Sequence, residues 1–99
     1  MADLLLSFQC ARRDTDAVVD ALRTVVRAPI QIGERTVRGW DYDDATTVEQ
    51  VSGLLRRALI ELIVPADRLD DAVRAVGAAE CAQPVRWHAL PVAASGRIA

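Results

Sequence analysis

Four carboxylates crowd one stretch of this chain. Asp41, Asp43, Asp44 and Glu49 lie within Val37 to Gly53, VRGWDYDDATTVEQVSG, where Arg38 is the only other charge. Clustered carboxylate oxygens are ligands for hard divalent cations. The EF-hand pattern further requires a glycine at the sharp turn and a closing glutamate, and neither stands at the required spacing. His88, the only histidine, adds a nitrogen ligand if the stretch folds back onto it or a neighbouring chain supplies it. The metal set read from sequence is therefore Asp41, Asp43 and His88. Its alternative is a solvated acidic loop. Carboxylates suit hard ions and imidazole suits softer ones, so the set does not select one metal.

The basic residues offer a second chemistry. All twelve are arginine and none is lysine, which excludes a P-loop lysine, a Schiff-base lysine and a Ser–Lys dyad within this chain. Arginine is the better fork for carboxylate and phosphate, so anion binding stays open. Arg56 and Arg57 follow the acidic stretch, Arg86 follows a Gln83–Pro84 turn, and Arg97 sits in a Ser–Gly–Arg tail where glycine lets backbone approach an anion. Together they suggest a small anionic ligand in a cleft between subunits. Trp40 is placed to stack on it or to pack on the base of its own loop.

No nucleophile, base and acid stand together. Serine is scarce, the Gly-x-Ser-x-Gly elbow is absent, and a lone histidine inside a strand is more often structural. The sequence predicts a protein that is not an enzyme. Cys10 and Cys81 fit neither a CxxC nor a zinc spacing and read as free buried thiols.

Ninety-nine residues suffice for one domain, 1–99, with one modest core. A net charge of −2 and a pI near 5.2 argue against nucleic acid as a partner. No apolar run is long enough to span a bilayer, and MADLLLSFQC lacks the basic leader of a signal peptide. A cytoplasmic location is the expectation.

The elements that must position these residues follow from periodicity. Leu4, Leu6 and Phe8 alternate with Leu5, Ser7 and Gln9 in a first strand, about Asp3 to Cys10. Asp14 or Thr15 is the candidate cap of a helix with an apolar stripe of Val18, Val19, Leu22, Val25 and Val26, which Pro29 ends. Ile30 to Arg38 and Leu54 to Val64 read as strands on either side of the acidic stretch. Asp67 is the candidate cap of a second helix, striped by Leu69, Ala72, Val73 and Val76, and Val85 to Val92 forms a last strand before a tail at 93–99. A hairpin closes with two to five residues in most compact domains, so the long acidic connection needs a function.

The order βαββαβ predicts an α+β, ferredoxin-like sandwich with a four-stranded antiparallel sheet and two helices on one face. Leu5, Leu59, Ile63 and either Trp87 or Leu90 then lie on the uncovered face, which predicts a homo-oligomer that buries it. Chain direction also gathers Cys10, Cys81, the Gln83–Pro84 turn and the acidic loop at one end of the sheet.

Two runs resemble a known family. Val48-Glu49-Gln50-Val51-Ser52-Gly53, and Trp87-His88-Ala89-Leu90-Pro91-Val92 followed by Ser95-Gly96-Arg97, resemble small bacterial PII-like proteins of unknown function. These belong to the PII/CutA-type superfamily and are often encoded beside heavy-metal efflux pumps. The resemblance implies a PII-like trimer with inward-facing sheets, and it matches 37–53 to the T-loop. It places a ligand between subunits at Gly39, Gln83, Arg86 and Arg97, to which the reading above adds Arg56. The ligand is unknown: a nucleotide, another small anion or a divalent metal. The resemblance also implies signalling to a protein partner such as a membrane transporter. A metal-binding accessory protein of an efflux system is the alternative.

Overall fold

A computed structural model describes residues 2–38 and 55–99. Their elements are β1 (Asp3–Ala11), α1 (Thr15–Arg23), β2 (Gln31–Val37), β3 (Leu55–Pro65), α2 (Leu69–Gly77) and β4 (Arg86–Val92). The strands form one antiparallel sheet in the order β2-β3-β1-β4, and the fold is the ferredoxin-like α+β sandwich.

Alternation dictates which side of the sheet is dry. Leu6, Phe8 and Cys10 on β1 and Ala58, Ile60, Leu62 and Val64 on β3 are buried. They meet Val18 and Leu22 of α1 and Ala72 and Val76 of α2. The core thus sits between the two central strands and the helices. Edge strand β2 is nearly all exposed, and its Ile32 is 56% exposed.

Each helix is entered the same way. Ala11 and Pro65 both adopt φ −59°, ψ 145°, and a single 3-10 turn follows each, at Arg12–Asp14 and Ala66–Arg68. Neither helix has a side-chain cap, which corrects the roles expected of Asp14, Thr15 and Asp67. The Thr15 hydroxyl instead donates to the Arg12 carbonyl at 2.7 Å. Helix α1 also stops at Arg23, well before Pro29. There the Thr24 hydroxyl donates to the Ala21 carbonyl at 2.6 Å, and the Val25 and Val26 N–H groups both turn to the Leu22 carbonyl. A β-branched run whose donors are satisfied by a tightened last turn has no need of the proline. The Arg68 guanidinium closes the helix layer by donating to the Val25 carbonyl and pairing with Asp71 at 2.9 Å.

Candidate functional site

The register brings four strand ends together. Val37 stands opposite Leu55, Ala11 opposite Arg57, and Gln9 between Leu59 and Arg86. The chain therefore departs for 39–54 and returns at the sheet end where β1 finishes and β4 begins. Arg12 and Arg13 follow β1 there, Arg35 and Arg38 lie at the end of β2, Arg56 and Arg57 open β3, and Arg86 opens β4.

The geometry of this arginine group is specific. Arg35 and Arg57 are direct cross-strand partners, which sets two like charges side by side at this end of the sheet. Arg57 is 6% exposed although it lies on the sheet face away from the helices, and its Nη1 donates to the Arg56 carbonyl at 2.9 Å. Arg56 is exposed on the opposite side, so the two flank the start of β3 as expected. Arg12 pairs with Glu34 at 3.0 Å, both exposed. Sequence reasoning singled out Arg56, Arg57 and Arg86 but passed over Arg12, Arg13 and Arg35. The hairpin register would have found Arg35.

Asp14 fixes the turn beside this group. It is buried, and its two carboxylate oxygens accept the backbone N–H groups of Ala82 at 2.9 Å and Gln83 at 3.2 Å. The Gln83–Pro84 turn and Arg86 are thereby held against the end of β1. Cys10, fully buried, has its thiol pushed from an ordinary 9.0 to about 11, by burial first and then by the negative field of Asp14. Burial and Asp14 raise Cys81 as well, and both cysteines are free thiols. They belong to the same apolar cluster.

The uncovered sheet face carries ordered rows. Ile63, Leu5 and Leu90 form one across three strands, and Ile63 and Leu90 remain 42% and 53% exposed. Leu90, not Trp87, completes that apolar row, because Trp87 stands opposite Phe8 on the helix side. The next row runs Gln31, Glu61, Ser7, His88, in which the nearly buried Ser7 hydroxyl donates to Glu61 Oε2 at 3.0 Å.

The structure brings Arg56, Gln83 and Arg86 of the sequence-derived set to one end of the sheet. His88 shares the open face with Arg86, two residues along β4. Gly39, Asp41 and Asp43 lie outside the described residues. The exposed tail bearing Arg97 begins beyond Val92, which pairs with Asp3 at the far end of the sheet. Among the described residues no three His, Cys, Asp or Glu side chains are grouped to hold a metal ion. No helix among them is long and apolar enough to cross a membrane.

Comparison with solved structures agrees with this architecture. A DUF3240 family protein from Shewanella baltica OS155 superimposes with a TM-score of 0.79 at 16% identity, covering 100% of this chain and 99% of that one. CutA1 from Oryza sativa gives a TM-score of 0.70 at 11% identity over 97% of this chain and 84% of its own. A Bacillus cereus protein related to NIF3 gives 0.70 at 17% identity over 97% of this chain and 26% of its own. No curated protein matches the sequence. The family model for a protein of unknown function, DUF3240, matches residues 1–99, and the chain belongs to that family.

Proposed function

We propose that the protein is a PII-like homotrimeric regulator. Its sheets face inward, a small anion binds in the cleft between subunits at the arginine-rich end, and the 37–53 loop meets a protein partner such as a transporter. The observation that supports this most is the convergence of Arg35, Arg56, Arg57 and Arg86 where the loop leaves and rejoins the sheet. A ligand held there touches the base of the loop. It acts on a partner only to the extent that it binds two loop arrangements unequally. The exposed Ile63–Leu5–Leu90 row supports burial of the open face by further copies. The CutA1-like fold supports the same reading. No catalytic step is assigned.

Metal binding through Asp41, Asp43 and His88, as part of an efflux system, is the second reading. The exposure of His88 on the open face, in line with Ser7 and Glu61, is the observation in its favour.

The test is a thermal-shift screen of nucleotides, bicarbonate, other small anions and divalent metals, combined with sedimentation equilibrium. A ligand at a hundredfold excess over its Kd stabilises the native protein by about 2.7 kcal/mol. The expected outcome is a trimer stabilised by an anion, with the effect lost in Arg57→Ala and Arg86→Ala. A monomer at micromolar concentration that responds to no anion would overturn the proposal, and a response confined to divalent metals would favour the second reading.

A further inference from the structure

On the helix side of the sheet, α2 and edge strand β4 leave a cleft of about 290 Å³, lined by Phe8, Val76, Cys81, Gln83, Pro84 and Trp87 among others. Trp87 stays 47% exposed although it stands directly opposite the buried Phe8. A large ring left half in water over an apolar floor is a ready stacking surface for another ring.

The same cleft contains an unmet polar requirement. Gln83 lines it, and the Gln83 Oε1 atom is buried with no hydrogen-bond partner among the described residues. A buried amide oxygen without a donor is unfavourable and uncommon in a folded protein. The turn cannot swing out to water without losing the Asp14 hydrogen bonds to the Ala82 and Gln83 N–H groups. The terminal amide torsion is soft, however, and its rotation is the motion that would turn the oxygen toward the cleft that Gln83 lines. Cys81, its thiol held protonated by burial and by Asp14, completes an apolar wall and is a poor nucleophile. Among the described residues no charged side chain lines the cleft, so they offer nothing to a phosphate. Its volume lies at the small end of ligand pockets and suits one fused ring system.

We propose that this cleft binds a small planar aromatic molecule with a single N–H or O–H donor, its ring stacked on Trp87 and its donor bonded to Gln83 Oε1. The cleft shares Gln83 with the sequence-derived ligand set but lies on the helix side of β4, whereas Arg86 projects on the other face, and its proposed occupant goes beyond the regulatory reading.

Indole and 1-methylindole are matched probes, since they share a ring system and only the first has a donor. Titrations of the full chain are followed by amide and indole N–H shifts in two-dimensional NMR. Saturable shifts at Gly77, Cys81, Gln83 and Trp87 are expected, with indole binding roughly fivefold or more tighter than 1-methylindole. Gln83→Leu should remove that difference while leaving weak binding of both. The proposal is overturned by an absence of saturation at millimolar indole, or by equal affinities for the two probes in the unaltered protein. Shifts confined to the arginine end would overturn it as well. If Gln83→Leu fails to fold, the comparison of the two probes on the unaltered protein still decides.

Discussion

Asp14 and Arg68 hold equivalent places in the two halves of the fold, each closing the 3-10 turn between a central strand and its helix. Each reaches across to the turn that follows the other helix. Asp14 accepts the N–H groups of Ala82 and Gln83 beyond α2, and Arg68 donates to the Val25 carbonyl beyond α1. Opposite charges thus perform the same mechanical task at opposite ends of the sheet, the acid on donors and the base on an acceptor. Only the Asp14 end adjoins the candidate site.

Asp14→Ala should destabilise the protein by about 2–3 kcal/mol, because it removes a buried carboxylate that accepts two backbone N–H groups. Arg68→Ala, at a half-exposed position, should cost about 1 kcal/mol. The two sites share no partner, so urea midpoints of the double variant should give the sum within about 0.5 kcal/mol. A large interaction energy would show that the halves do not respond independently.

Core and edge should separate cleanly. Leu6→Ala removes a fully buried side chain between sheet and helices and should cost about 2–5 kcal/mol. Ile32→Ala, on the exposed edge strand, should change stability by less than about 0.5 kcal/mol in the isolated chain. Chemical denaturation at low protein concentration measures both.

Cys10 sets a limit at alkaline pH. Its folded thiol titrates near 11 instead of 9.0, so the folded state resists forming the thiolate that the unfolded chain forms readily. The contribution is complete below pH 9 and declines as pH rises from 9 through 11. Stability measured across this range should fall more steeply for the natural protein than for Cys10→Ala. A thiol reagent at pH 8 should label the partly exposed Cys81 first, with Cys10 reacting only as the protein unfolds.

Leu90→Asp tests the open face. Leu90 is 53% exposed in the isolated chain, so the substitution should leave monomer stability nearly unchanged. Self-association should weaken by at least about tenfold, read by sedimentation equilibrium. An unchanged association constant would place the subunit contact elsewhere.

Periodicity made the fold legible. The alternation of Leu4, Leu6 and Phe8 and the run Ala58, Ile60, Leu62, Val64 each report which side is dry, because burial repeats every second residue in a strand. Helix ends were read less well. Pro29 looked like the stop, but the chain had already turned at Thr24, where a side-chain bond to Ala21 won over the proline. The choice between Trp87 and Leu90 needed the strand register, which alternation inside one strand cannot supply. Of the candidate site, Arg56, Gln83 and Arg86 were legible because chain direction alone brings their elements to one end. The Asp14 anchor was not. It joins groups far apart in sequence, and Asp14 also fitted a local role as a helix cap.

Among the described residues, strand β4 hangs from the sheet by a single ladder, that with β1. Trp87 in the cleft, Leu90 and His88 on the open face and Arg86 at the loop end all ride on this one ribbon. A contact on any of these surfaces would act on the same set of backbone bonds. To the extent that each partner binds a firmer and a looser ribbon unequally, their binding would be linked, and linkage acts equally in both directions. A molecule that firms the ribbon from the helix side would favour assembly on the other, and assembly would in turn sharpen the affinity for that molecule.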